Sequence, residues 1–306
     1  MTVPAEQNYK FLTIEKCDMC GSSTESHKLL GQRLNQSLGL RPRRKKGISI
    51  SVMKCNKCSL IYSQPQPIPH NIQDHYGTPP ESYWSDTYFQ PQPNYFSGQI
   101  EEVKKLLPFK SGMKALDIGA GLGKCIIALE NAGFQAQGFE PSDPFFERAI
   151  NKMGISPEKL KFGMLEEMNY SPESFDFITF GAVLEHLYSP SASLEKAMSW
   201  LKPRGIIHIE VPSSRHLIGK IFNMYYRLQG TNYVTHLSPM HAPFHLYEFH
   251  INSFLRLGEK LRFIIEKHQV DVCDILHIPL FMHPILKKIM EWTGTGLQLT
   301  VYLRKA

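Results

Sequence analysis

The sequence predicts an α/β fold: a seven-stranded, mostly parallel sheet with helices on both faces, preceded by a small cysteine-rich module. Three observations predict it. A short apolar run ends in Leu116-Asp117-Ile118-Gly119-Ala120-Gly121-Leu122-Gly123-Lys124 and leads into a helix-like segment, Cys125–Ala132. Strand-like apolar runs then alternate with helical segments down to the last residues. Two C-x-x-C pairs stand near the N-terminus, apart from that alternation.

The first pair is Cys17-Asp18-Met19-Cys20 and the second Cys55-Asn56-Lys57-Cys58. Four thiolates on two tight turns suit a tetrahedral Zn²⁺, each pair holding one edge, and four protein ligands make such a site closed and structural. An iron–sulfur centre uses the same donors, but nothing else in the chain points to redox work. The interval between the pairs, Gly21 to Lys54, exceeds the ~15–20 residues of the commonest pattern. It contains Arg41-Pro42-Arg43-Arg44-Lys45-Lys46. That run reads either as a solvated loop tip or as a phosphate contact, and no aromatic residues interleave with it as single-strand binding would require.

With 306 residues, 42% apolar and 20% charged, the composition is that of an ordinary globular protein. A net charge of +6 permits anionic partners without demanding them. No apolar run reaches the ~18–20 residues needed to span a bilayer. The first residues lack the basic and apolar regions of a signal peptide. Free thiols fit a reducing compartment. The expected location is therefore cytoplasmic.

After the second pair, the prolines of Leu60–Pro69 predict an extended linker. The zinc-ribbon module is thus expected over residues 1–70. The stretch 71–99 holds Tyr76, Tyr83, Trp84, Tyr88, Phe89 and Tyr95. These read as packing for a linker, one or two of them also able to cover a ligand. The main domain, 100–306, begins with an amphipathic helix, Ile100–Leu107.

The glycine loop is where bare backbone can approach a ligand. Its spacing departs from the dinucleotide pattern G-x-G-x-x-G, because Gly123 comes one residue early. Asp117 at its mouth disfavours a pyrophosphate and favours a cation. Gln135–Glu140 reads as the next strand, ending in an acid one strand–helix–strand unit on, where a carboxylate can accept from both ribose hydroxyls. That acid points to a nucleoside without naming it.

The Asp117-x-Gly119-x-Gly121-x-Gly123 run resembles the first motif of class I S-adenosylmethionine-dependent methyltransferases. Together with the two knuckles and the exit C-x-x-C-S-L-I-Y-S-Q-P-Q-P, the chain from Cys17 onward resembles bacterial small-molecule methyltransferases, including sugar and natural-product enzymes. The resemblance implies that Asp117, Gly119, Gly121, Gly123 and Glu140 bind S-adenosylmethionine. It implies that Met164 and Leu165, in the stretch Leu160–Glu166 that reads as a third strand and its exit loop, contact the adenine. It also implies that the fourth strand, Phe175–Phe180, turns its end toward the methionine part, with Phe180 at that end.

The fourth strand runs on into Gly181-Ala182-Val183-Leu184-Glu185-His186. The Asn/Asp-Pro-Pro-Tyr/Phe run of enzymes that methylate base amines is absent there. Leu194–Leu201 predicts a helix, Lys202–Gly205 a turn and Ile206–Val211 a fifth strand. An irregular stretch over 212–250, with His216, His236, His241, His245 and His250, is the expected acceptor lid. No ligand spacing repeats among these histidines, and no carboxylate cluster accompanies them. By resemblance to the H-L-x-x-F motif of sugar C-methyltransferases, His245 is the candidate general base, although the further C-terminal domain of those enzymes has no counterpart here. His186, with Glu185 as a buried partner, is the rival base. Ser253–Leu261 predicts a helix, and Phe263–Val270 and Leu297–Leu303 the last two strands. Between them lies the apolar segment 275–292, a packing face, a homodimer surface or a membrane-surface contact.

The functional expectation is methyl transfer to a small molecule, at a hydroxyl in preference to a carbon. A nucleic-acid-binding zinc protein or RNA methyltransferase acting through Arg41–Lys46 is the alternative.

Overall fold

The computed structural model describes residues 8–35, 48–76, 84, 86–90, 92–275 and 278–306. The basic run Arg41–Lys46 and Tyr83 lie outside them. The main sheet has seven strands: β6 (Lys114–Ile118), β7 (Gln135–Glu140), β8 (Leu160–Phe162), β9 (Phe175–Gly181), β10 (Leu201–Pro212), β12 (Phe263–Asp271) and β13 (Gln298–Lys305). Their order is β8-β7-β6-β9-β10-β13-β12. The ladders from β8 to β10 are parallel, and β13 runs antiparallel to both its neighbours. The chain leaves β6 toward one edge and returns at β9 toward the other. This reversal of order opens a crevice at the carboxyl ends of β6 and β9, the place where such sheets take ligands.

The seven predicted strands are all present. The central strand shows why they were legible: Phe175, Phe177, Ile178 and Phe180 are fully buried, as a strand covered on both faces must be. Each such side chain contributes ~1.5–3 kcal/mol relative to exposure. Among the described residues the longer helices are α1 (Ser97–Leu106), α2 (Lys124–Asn131), α3 (Asp143–Asn151), α4 (Pro190–Trp200), α5 (Leu217–Leu228), α6 (Ile251–Leu261) and α7 (His283–Thr293).

Three expectations are corrected. The Lys202–Gly205 turn is a bulge inside β10, which pairs with β9 at Leu201 and resumes at Ile206; Arg204, at φ 65°, absorbs the extra residues. The stretch 212–250 is not irregular throughout, because Leu217, Ile218, Ile221 and Phe222 share one face of α5 and pack into an apolar cluster. The proline-rich exit is not a free linker. It forms β4 (Ile61–Gln64) and β5 (Gln66–Pro69), and β5 pairs with β1 (Tyr9–Leu12) in a two-stranded ribbon, where a proline leaves no central ladder broken.

The N-terminal sheet joins β4 to β2 (Lys28–Leu34), β3 (Ser49–Lys54) and β11 (Tyr247–Glu248), in the order β11-β4-β3-β2. Strand β11 comes from the insertion and pairs antiparallel with Ile61 and Tyr62. Tyr247 Oη also donates to the Tyr188 carbonyl at 3.0 Å. The cysteine turns are fastened to the main domain as well. Asp18 accepts hydrogen bonds from Ser189 Oγ at 2.8 Å and from the Ser191 N–H at 2.7 Å, at the start of α4. Ser253 Oγ, in α6, donates to the Cys58 carbonyl at 3.1 Å.

Candidate active site

The glycine loop connects β6 to α2. Gly119, Gly121 and Gly123 all have φ between 54° and 74°, the left-handed region. A Cβ at Gly119 would stand 2.7 Å from Val183 and one at Gly123 2.7 Å from Ile155, whereas one at Gly121 would enter open space. Gly121 therefore lines a cradle, and its N–H donates to Glu140 Oε2 at 2.7 Å. The other Glu140 oxygen accepts from the Ser142 N–H at 2.8 Å.

Asp117 and Glu140 are 4% and 5% exposed. Among the described residues, no Lys or Arg lies within ion-pairing distance of either. Burial, with Glu140 close by, pushes the Asp117 carboxyl up to about 8, although Cys125 donates to it. Burial pushes Glu140 up to about 7 against the two backbone hydrogen bonds it accepts. The crevice is thus rimmed by carboxylates that lack cations. The aromatic stretch touches the same rim: Lys124 Nζ stands 3.8 Å above the Tyr88 ring, and Trp84 stacks with Arg148 at 3.9 Å.

The end of β9 carries the other group. Glu185 is 1% exposed, and its Oε2 is buried without a hydrogen-bond partner. Its Oε1 lies 3.8 Å from His245 Nε2 and 4.0 Å from His186 Nε2. The two imidazoles meet edge to face at 4.9 Å. His186 Nδ1 reaches the Phe244 carbonyl at 3.2 Å, which its protonated form donates to. Burial pushes the Glu185 carboxyl up to about 8 and lowers His245 to about 3 and His186 to about 4. At neutral pH both imidazoles are neutral; His186 is held by the Phe244 and Ala182 carbonyls, and His245 can accept a proton. The three donor atoms lie within 4.8 Å of one another, a carboxylate and two imidazoles that together could hold a cation. Glu185 lies far from His245 in the chain and meets it only in the fold, so a single carboxylate joins one histidine of the insertion without forming a carboxylate cluster.

The remaining histidines of the insertion separate. His236 Nδ1 pairs with Glu248 Oε2 at 2.5 Å, and His250 caps α6 by accepting from the Asn252 N–H at 3.1 Å. His245 opens onto a cavity of about 480 Å³ that Glu185, Glu210 and three further histidines, His216, His236 and His241, also line.

Residues 94–262 match the family described as a methyltransferase domain. The chain belongs to that methyltransferase family. It carries a class I S-adenosylmethionine-dependent methyltransferase domain, as the resemblance implied. It is 24% identical over 135 residues to a demethylmenaquinone methyltransferase of Bacillus cytotoxicus, a match covering 42% of this chain and 57% of that one. It is 26% identical over 201 residues to a mitochondrial ubiquinone biosynthesis O-methyltransferase of Schizosaccharomyces pombe, covering 63% and 68%. The chain therefore spans a little over half of the Bacillus relative and about two thirds of the yeast one. Among solved structures it is similar to an S-adenosylmethionine-dependent methyltransferase from Mesorhizobium loti, with a TM-score of 0.47 and 14% identity over 69% of this chain and 100% of that one.

The methyltransferase domain's residues fit its donor. The open space at Gly121 is a cradle that any side chain would fill. Asp117 and Glu140 give it a wall of buried acids that a sulfonium would draw into their ionised forms and whose oxygens can accept from a ribose. Leu165 is buried and Met164 half-buried in the loop after β8. Phe180 departs from expectation, because its side chain is fully buried in the main apolar cluster; the exposed end of β9 is Gly181, followed by Ala182 at φ 55°. Glu210, at the end of β10, was not anticipated. It accepts from Gln99 Nε2 at 2.6 Å and lines the cavity. Its signal was an acid closing the apolar run Ile206–Ile209.

The four knuckle cysteines of the methyltransferase converge. Their Sγ atoms lie within 4.8 Å of one another, with Cys17–Cys58 at 3.5 Å and Cys20–Cys55 at 3.6 Å. A tetrahedron of Zn–S bonds of ~2.3 Å has edges of ~3.8 Å. Hydrogen bonds from Cys17 and Cys58 hold the Cys55 thiol low. Behind them, Ser22 Oγ contacts Cys55 Sγ at 3.3 Å and His27 Nε2 at 3.0 Å, while His27 Nδ1 reaches Tyr62 Oη at 2.8 Å. Among the described residues, no helix is long and apolar enough to cross a membrane.

Proposed function

We propose that this methyltransferase transfers a methyl group to a small-molecule acceptor, at a hydroxyl in preference to a carbon. One observation carries the reading: His245 and Glu185 stand 3.8 Å apart where the end of β9 meets the histidine-lined cavity. When bound, S-adenosylmethionine supplies an electrophilic methyl on a sulfonium. Asp117, Gly119, Gly121, Gly123 and Glu140 bind and orient it, with Met164, Leu165 and the Phe180–Ala182 strand end beside them. The neutral His245 imidazole takes the proton from the acceptor hydroxyl. Glu185, raised to about 8 by burial, stabilises the resulting imidazolium in its ionised form, so turnover is expected to rise as pH passes through about 8, and His186 packs edge-on against His245. The insertion 212–250 walls the cavity and excludes water. The yeast relative's name, an O-methyltransferase, supports the oxygen reading.

Zn²⁺ is assigned to Cys17, Cys20, Cys55 and Cys58 as a structural ion, supported by their sulfur spacing. The division into a zinc-ribbon module (1–70), an aromatic cover (71–99) and the catalytic domain (100–306) follows from this assignment.

Labelled S-adenosylmethionine, offered with a panel of hydroxylated acceptors, tests the reading. His245→Gln is expected to lower kcat by roughly 10²–10⁴ while leaving the donor's Kd unchanged. Failure of the metal-loaded chain to bind S-adenosylmethionine by titration calorimetry would sink it.

A further inference from the structure

We infer that the acceptor carries an anionic group, a carboxylate or a phosphate, and that Arg33 of the N-terminal module receives it. The inference rests on the methyl-transfer reading, since it takes the cavity beside His245 as the acceptor's place.

Arg33 lies on β2, far from the methyltransferase domain in sequence, yet it lines the same cavity as Glu185 and His245. It is 8% exposed. Its contacts are long: Nη1 to the Val234 carbonyl at 3.5 Å and Nη2 to His241 Nε2 at 3.4 Å. Its Nε is buried without a hydrogen-bond partner. No carboxylate among the described residues lies within ion-pairing distance of it. The nearest candidate, Glu248, is committed elsewhere, with Oε2 on His236 Nδ1 and Oε1 accepting from the Leu237 N–H at 3.0 Å.

A buried guanidinium without a counter-ion is costly and persists where something else supplies the charge. His241 makes the same demand. With Nε2 accepting from Arg33, its proton sits on Nδ1, and that nitrogen is buried without a partner. Two donors in one cavity thus lack acceptors. A guanidinium fork matches carboxylate and phosphate oxygens in pairs, which a lone lysine could not do. Arg33 is also held in place: the Gln32 N–H donates to the Asn232 carbonyl at 2.9 Å and the Val234 N–H to the Gln32 carbonyl at 3.1 Å, so β2 is fastened to the insertion right beside it.

The test uses the full, zinc-loaded chain saturated with S-adenosylhomocysteine. Calorimetric titrations with 4-hydroxybenzoate, with phenol as its neutral counterpart, and with phenyl phosphate separate the carboxylate from the phosphate source. At least one anion is expected to bind and phenol not to bind. Arg33→Gln is expected to weaken the anion by roughly 10–100-fold while the nucleoside's Kd stays unchanged. Arg33→Lys, which keeps the charge without the fork, is expected to fall between, and it reads the same contrast if the glutamine variant fails to fold. Equal affinity for phenol and the anions would overturn the inference. So would anion binding that survives both Arg33 variants and is lost when Arg43 and Arg44 are replaced by Ser. Loss of nucleoside binding in the unaltered chain would instead strike the methyl-transfer reading itself.

Discussion

Gly121 has φ 54° and nothing within reach of a Cβ, so Gly121→Ala tests the cradle with a single methyl group. The left-handed backbone costs an alanine ~1–2 kcal/mol, and the methyl would occupy the space proposed for the donor. The expected result is a small fall in melting temperature together with a clear rise in the donor's Kd; a lower melting temperature with unchanged Kd would remove Gly121 from the site. The buried carboxylates give a pH signature. Asp117, Glu140 and Glu185 are raised to about 8, 7 and 8, chiefly by burial. Their unfolded values lie near ~4. The stability they lend the ligand-free fold is therefore complete below about pH 4 and is lost as pH rises through about 7–8. A cationic ligand favours their ionised forms. Donor affinity should accordingly rise between about pH 6 and 8, with protons released on binding, which calorimetry in buffers of different ionisation enthalpy measures. Binding that releases no protons across that window contradicts the electrostatic account.

Among the elements, the first cysteine turn is the joint that can be probed alone. Asp18→Ala removes the acceptor for Ser189 Oγ, the Ser191 N–H and Ser191 Oγ at the head of α4. A loss of ~1–3 kcal/mol is expected in urea unfolding with the metal retained; a shift within error would mean the joint carries no load. The parallel strands were legible from sequence because a strand covered on both faces must be apolar at nearly every position, as Phe175–Phe180 is. The glycine loop was legible because only glycine holds those backbone angles without strain. Other features left no local trace. Proline-rich β5 reads as linker until its partner β1 is known, and α5 is hidden among histidines and tyrosines. The Glu185–His245 pair and the place of Arg33 are created by tertiary contact alone; nothing local marks Arg33 off from Arg41, Arg43 and Arg44 between the same cysteine turns.

At the scale of the molecule, the segment 275–292 presents two faces, apart from Leu276 and His277, which lie outside the described residues. Leu286 and Met290 pack against Ile218 and Ile275, whereas Phe281, Ile285 and Trp292 are 80%, 65% and 88% exposed. We propose this outer face as a homodimer contact. Sedimentation equilibrium is expected to show concentration-dependent association that the double variant Phe281→Ser, Ile285→Ser abolishes with its fold intact; a wild-type chain monomeric at high concentration refutes it. The short β4–β11 ladder has a different reach. It ties the cysteine turns to the segment that carries His245, while the nucleoside cradle stands on the main sheet. Removing the Zn²⁺ proposed for the knuckles should accordingly weaken acceptor binding and spare binding of S-adenosylmethionine, which titrations of each before and after chelation measure.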